Sequence, residues 1–175
     1  PLPRSTLEDV TSLRAAFERH SHGTGCAVAA VLLEPVCSQS GSRLTAATSA
    51  ALRAVCDAHH VPIISDETRS GLMRCCGALL AAPSLGLVPD LATIGESLGG
   101  GFASVAAVVY DRRTFGRTGF PSLATMVNDN LSSHVALGVL GHLQSMAAEY
   151  GEAAAHFERS VRAALATGGQ DGQTA

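Results

Sequence analysis

Two short runs with the composition of buried strands, Ala27 to Leu33 and Val61 to Ser65, flank a segment of helical periodicity, and each run ends on acid: Glu34 after the first, Asp66-Glu67 after the second. Apolar runs of this length without polar alternation suit strands covered on both faces. From about Thr48 to His59 the apolar residues Leu52, Val55 and Cys56 recur at helical spacing. A strand, a helix and a strand at these intervals require a crossover, so the two strands run parallel.

The rest of the chain extends that pattern. Leu7, Val10, Leu13 and Phe17 predict an amphipathic helix over 6–20, with Ser5 as N-cap and Glu8 three positions on as a capping box. His20 to Gly25 breaks it, and the Ser/Gly-rich stretch from Cys37 to Ser42 is a loop. Gly71 to Pro89 reads as an irregular connection with one helical turn, Leu91 to Ile94 as a short strand, Gly99-Gly100-Gly101 as a turn and Ser104 to Tyr110 as a further strand. After a loop from Asp111 to Asp129, Leu131 to Met146 and Glu149 to Leu165 read as helices, with a break at Gly151. The expected fold is α/β, three layers, a mostly parallel sheet with helices on both faces. Residues 1–166 form one domain and 167–175 a disordered tail.

Composition narrows the function classes. Hydrophobic residues make up 46% of the 175, aromatics only 4%, and tryptophan is absent, so the core is built from small side chains. A formal charge of −3 without a basic run excludes nucleic acid and anionic membrane surfaces as expected partners. The five cysteines, Cys26, Cys37, Cys56, Cys75 and Cys76, follow no Cys-x-x-Cys spacing and suit reduced thiols rather than a metal site or disulfide framework. No charged-then-apolar leader is present and no apolar run reaches the ~18–20 residues that span a bilayer. The expected location is the cytoplasm.

In an open parallel sheet, ligands sit beyond the carboxyl ends of the strands, which directs attention to Glu34, Asp66-Glu67 and Gly95-Glu96. By spacing alone Asp66 reads either as a cap or turn residue or as a carboxylate that pairs with a ligand cation. Other candidates carry less. His59-His60 ends a helix and suits its last carbonyls; His134 lies in an apolar helical pattern as a core or interface residue. Ser38, Ser40 and Ser42 lack a Gly-x-Ser-x-Gly elbow. No metal is expected.

Six landmarks then follow in order: Leu33-Glu34-Pro35-Val36, Ala51 to Asp57, Val61-Pro62-Ile63-Ile64-Ser65-Asp66-Glu67, Val88-Pro89-Asp90-Leu91-Ala92-Thr93, the triple glycine, and Thr125 ahead of Leu131. In these, from about Ala27 to Leu140, the chain resembles the class III aminotransferases, the ornithine, acetylornithine and 4-aminobutyrate group of fold-type I enzymes. The resemblance implies the second half of the large domain, cut from both sides, with the Gly-rich phosphate turn and ring-stacking aromatic lying upstream. It also implies pyridoxal phosphate or pyridoxamine phosphate as cofactor. Asp66 matches the aspartate that pairs with the pyridinium nitrogen, which keeps that nitrogen protonated and the ring electron-accepting. Thr68 falls where a β-branched side chain packs on the ring face, and Arg69 where a glutamine bonds the phenolic oxygen. Thr125 matches a threonine that contacts the phosphate of the cofactor held by the partner subunit, although the residues after it depart from the family pattern. Glu34 matches a glutamate that in several members pairs with a substrate-binding arginine.

One departure is decisive for chemistry. Thr93 to Gly101 matches the cofactor-lysine segment, yet Glu96 stands at the lysine position, and all twelve Lys+Arg residues are arginines. Arginine stays protonated and is no amine nucleophile, so this chain has no side chain to link covalently to the cofactor. Glu96 is read either as drift after loss of the lysine or, with pyridoxamine phosphate, as a buried general base. The leading expectation is a truncated family homologue that is inactive alone, with any cofactor held non-covalently. The alternatives are a non-catalytic pseudo-enzyme acting as a structural or regulatory dimer partner, and a lysine-independent pyridoxamine-phosphate enzyme with Glu96 as base. Expected partners are a second copy in a homodimer or an intact homologue in a heterodimer, with a small-molecule amino donor in the family.

Overall fold

The computed structural model describes residues 10–22, 25–26, 28–75, 77–116 and 129–168. Helix α1 spans Val10–Arg19, and a two-residue hairpin, β1 (Ser21–His22) with β2 (Gly25–Cys26), follows where only a break was expected. The main sheet is formed by β3 (Val31–Leu33), β4 (Ile63–Asp66), β5 (Leu91–Ile94) and β6 (Ala107–Tyr110), in that spatial order. β3, β4 and β5 are parallel and β6 is antiparallel to β5, so the mostly parallel α/β sheet is as expected.

Helix α2 (Ala46–Ala58) makes the β3–β4 crossover. Thr45 caps it: Thr45 Oγ1 accepts from the Thr48 amide at 3.1 Å, one of the orphan donors of the first turn. The β4–β5 connection carries α3 (Ala81–Ser84), the single helical turn anticipated in 71–89. The start of β4 is fixed by Asp90, whose Oδ2 accepts from the Ile63 amide at 2.8 Å and from Arg53 Nη1 of α2 at 2.7 Å. One carboxylate thus joins strand and crossover helix.

Two buried clusters hold the sheet. Phe17, Leu52, Val55, Cys56, Ile63, Ala82 and Leu87 belong to the first; Leu72, Ile94, Leu98 and Ala136 to the second, with Ala107 and Leu140 against it. Ile63 and Leu87 are fully buried, so truncating either to alanine costs about 2–5 kcal/mol. Alternation along the paired strands places Val31, Ile63, Ile94 and Ala107 on one face and Leu32, Ile64, Asp66, Thr93 and Val108 on the other. The helices that join both clusters therefore cover one face. The reason is topological: parallel strands added in one direction by crossovers of constant hand put every connection on the same side. On the other face Leu32 and Val108 are exposed. The second helical layer of the expected three is not supplied by these packed helices.

A 3₁₀ turn, Glu96–Gly99, follows β5 and leads into the triple glycine. Gly100 has φ +59°, and a Cβ there would lie 3.1 Å from Val139 Cγ2, so glycine allows both the turn and the approach of helix α5 (Asn130–Ser145). A short α4 (Arg112–Phe115) lies within the expected 111–129 loop. Helix α6 (Ala147–Gly168) runs through Gly151; the break from α5 falls at Met146 instead. Ser5, Thr6 to Asp9, Thr125 and the tail from Gly169 lie outside the described residues.

Candidate active site

The carboxyl ends of β3, β4 and β5 bring Glu34, Asp66 and Glu96 to one end of the sheet. Asp66 is the last residue of β4 and half-buried. Its Oδ1 accepts three hydrogen bonds, from the Thr68 hydroxyl at 2.7 Å, the Thr68 amide at 3.1 Å and the Thr93 hydroxyl at 3.0 Å. The Thr93 contact follows from register, because Thr93 is the β5 partner of Asp66. Burial acts to raise the Asp66 pKa, but the bonds from Thr68 and Thr93, with the charge of Arg69, hold it below the ordinary aspartate range. The three bonds converge on one oxygen and leave Oδ2 for an external donor. A protonated ring nitrogen fits such an acceptor.

Thr68 serves this carboxylate, and its methyl turns toward Gly95: a Cβ on that glycine would lie 3.4 Å from Thr68 Cγ2. Arg69 pairs with Glu96. Its Nε lies 3.3 Å from Glu96 Oε1, and Arg74 Nη1 lies 3.1 Å from Glu96 Oε2. Arg74 also donates through Nη2 to the Thr68 carbonyl and, at 3.5 Å, through Nε to the Gly71 carbonyl. Glu96 itself has φ +42°, a left-handed conformation that costs an L-residue roughly 1–2 kcal/mol. Its side chain is 52% exposed and bracketed by two guanidiniums, so the buried setting that a carboxylate base needs is absent. At ring nitrogen the residues present fit the pyridoxal cofactor; at the linking position they offer no amine.

Glu34 accepts from the Ser38 amide at 2.8 Å and the Ser38 hydroxyl at 3.0 Å, which closes the turn after β3. Ser38, Arg69, Arg74 and Glu96 line one cleft of about 420 Å³. Of the minor histidine candidates, His59 caps α2 with its ring tilted 5.1 Å from that of Phe17, while His134, expected in the core or at an interface, is exposed and bonds the Asn130 carbonyl at 2.7 Å. Among the described residues no group of three His, Cys, Asp or Glu is placed to hold a metal ion. No described helix is long and apolar enough to cross a membrane.

Two residues at the site, Thr93 and Arg74, were not singled out from sequence, whereas Glu67, noted there beside Asp66, takes a structural place. Thr93 required strand register, and Arg74 lies 22 residues from its partner in a turn without periodicity. Glu67 is fully buried and accepts from Ser70 Oγ at 2.5 Å, the Ala82 amide at 2.8 Å and Ser65 Oγ at 3.4 Å. It binds the end of β4 to α3 and underlies the loop that carries Thr68 and Arg69. Gly71 is obligatory in that loop, since a Cβ there would sit 2.9 Å from the Glu67 carbonyl.

The chain is similar to known aminotransferases over part of their length. The chain is 41% identical over 76 residues to 5-aminovalerate aminotransferase DavT of Pseudomonas aeruginosa, covering 43% of this chain and 18% of that protein. It is 34% identical over 105 residues to ornithine aminotransferase 2 of Staphylococcus aureus, covering 59% and 24%. The chain thus spans about a fifth of the length of these relatives, 18% and 24%. Among solved structures, the S-selective transaminase from Arthrobacter sp. with alanine bound superposes with a TM-score of 0.75 at 21% identity, over 90% of this chain and 34% of that one, a likeness of fold. The ornithine aminotransferase from Toxoplasma gondii ME49 gives a TM-score of 0.65 at 26% identity, over 78% and 31%. The family profile for aminotransferase class-III matches residues 4–172, and the chain belongs to that family.

Proposed function

We propose that the chain is a class III aminotransferase homologue that does not transfer amino groups on its own and that retains, through Asp66, a non-covalent contact to the ring nitrogen of pyridoxal or pyridoxamine phosphate. The observation that carries this reading is Glu96, a carboxylate at the linking position, paired with Arg69 and Arg74. The cofactor, when bound, supplies an electron-accepting ring. Asp66 would hold the proton on the ring nitrogen, and Thr68 and Thr93 would keep that carboxylate ionised and oriented. With no amine here, both the covalent anchor and the group that moves the substrate proton are missing. The relatives named for 5-aminovalerate and ornithine point to an amino acid as the donor class of a whole protein with this region. Thr125, which lies outside the described residues, would reach the phosphate of a neighbouring subunit.

The test is thermal unfolding of the purified chain with and without each cofactor form. A ligand that binds only the folded state raises its stability with concentration over affinity. The expected result is an upward shift that Asp66→Asn abolishes, with no amino-acid-dependent turnover. Turnover by the purified chain, or a shift indifferent to Asp66→Asn, refutes the reading.

A second reading, a pseudo-enzyme acting as dimer partner of a second copy or of an intact homologue, is favoured by one surface. Phe102, beside Gly100 in the triple-glycine turn, is 93% exposed, and Leu131 and Leu137 of α5, which packs on that turn, are 72% and 67% exposed. Apolar side chains at such exposure suit an interface. Sedimentation at micromolar concentration, alone and mixed with an active family member, tests it; a monomer in both cases refutes it.

A further inference from the structure

The cleft between the turn after β3 and the turn after β4 holds chemistry that amino transfer does not use. Cys37, Ser38, Arg69, Arg74, Cys75 and Glu96 are among its walls, and the cleft measures about 420 Å³. Two thiols and two guanidiniums therefore share one cavity with one carboxylate, which gives this set a net positive charge. Cys37 sits in a fixed turn: its amide donates to the Ser42 carbonyl at 2.7 Å, and its carbonyl accepts from the Gly41 amide at 2.8 Å. Hydrogen bonds from the Ser40 side chain, then from the Ser40 and Gln39 backbone, lower the thiol pKa against the opposing effects of burial and Glu34. Cys56 is the contrast. It is fully buried in the core, and burial pushes its pKa up to about 11.

The arginines are committed unequally. Arg74 uses Nη1, Nη2 and Nε on Glu96, Thr68 and Gly71. Arg69 approaches Glu96 through Nε and is more than half exposed, so its terminal nitrogens can meet a ligand. We propose that Cys37 is a thiol-modification site for a low-molecular-weight disulfide that carries carboxylates, with Arg69 anchoring a carboxylate beside the reacting sulfur. The Cys37 thiol gives its proton to solvent, and the thiolate attacks one sulfur of the disulfide. The new Cys37–S bond forms as the S–S bond breaks, and the departing thiolate takes up a proton. The incoming disulfide is the oxidant, and one thiol is released for each adduct formed. This inference does not depend on whether the chain binds a cofactor.

The experiment exposes the folded chain to oxidised glutathione and, in parallel, to the uncharged bis(2-hydroxyethyl) disulfide, and follows adducts by intact mass and peptide mapping. The first adduct is expected at Cys37 with both reagents. Arg69→Gln is expected to slow the anionic reagent relative to the neutral one by about three- to five-fold, the scale of one exposed charge contact. In the unmutated chain the same preference shrinks at 1 M salt, a readout that needs no variant. First modification at another cysteine overturns the proposal, and so does a rate ratio indifferent to both Arg69→Gln and salt.

Discussion

Arg74 Nη1 lies 3.1 Å from Glu96 Oε2 while its Nη2 donates to the Thr68 carbonyl, so one guanidinium ties the glutamate to the turn that follows Asp66. The residue at the family's lysine position is thereby part of the architecture of the site. Its ion pairs are exposed and screened, worth at most about 1 kcal/mol together, whereas its backbone conformation opposes folding by a similar amount. The two effects are separable by substitution.

Glu96→Ala and Glu96→Gly both delete the carboxylate, but only glycine relieves the positive φ. The glycine variant is expected to be more stable than the alanine variant by about 1 kcal/mol in urea unfolding. Equal midpoints would mean that the turn relaxes once the side chain is gone.

Glu96→Lys puts a third cation beside Arg69 and Arg74. This variant is expected to unfold at lower denaturant than Glu96→Gln, by up to about 1 kcal/mol, with the deficit shrinking in salt. Adding Arg69→Gln should recover part of the loss. A double-mutant cycle without coupling would count against the pairing.

Glu67 is the costliest carboxylate to remove. Glu67→Ala strands the Ala82 amide and the Ser70 hydroxyl in the interior and opens a cavity, with an expected loss of about 3 kcal/mol. Glu67→Gln keeps one acceptor oxygen and should lose less, because the Ser70 hydroxyl can rotate to accept from the new amide. Chemical denaturation of both variants orders them; a Gln variant no better than Ala would show that the charge itself matters.

Asp66 makes part of the stability depend on pH. Its folded pKa lies below the unfolded one, so its contribution is fully present above about pH 4, the ordinary aspartate value, and is lost as pH falls through the folded value. Thr93→Val removes one donor, raises the folded pKa toward the ordinary value and so flattens this acid limb, with about 0.5–1.5 kcal/mol lost at neutral pH. Denaturation midpoints from pH 3 to 7 measure both; parallel curves for variant and parent would remove the Thr93 contact from the account.

Much of the framework was legible from short-range patterns. Leu91 to Ile94 is the strand that its residues indicate, and the helix expected over Thr48 to His59 is observed at Ala46–Ala58, shifted by its Thr45 cap. Asp66 ends β4 and Glu96 lies two residues beyond β5, at the strand ends to which the sequence directed attention. Of the strand read over Ala27 to Leu33, Ala27 lies outside the described residues and, of residues 28–33, Val31–Leu33 is strand, since pairing stops where β4 begins at Ile63. What could not be read was contact between distant turns. Arg69 turned to Glu96, Arg74 tied Glu96 to the Thr68 carbonyl, and Thr93 supported Asp66 through a register that one strand does not encode. Gly151 failed as a helix breaker because a single glycine costs only about 1 kcal/mol, which a long helix absorbs.

In the one-directional order β3-β4-β5-β6, the helices that pack on the sheet among the described residues lie on one side. Leu32 and Val108 are exposed on the other face, Val108 in the same cross-strand row as Asp66 and Thr93 and Leu32 in the row of Ile64 and Leu91. Wetted apolar rows of this kind adsorb hydrophobic dyes and capture neighbouring chains, so the face that presents the Asp66 carboxylate is also the adhesive face of the domain. Solubility and ligand access are therefore governed by whatever lies against a single surface.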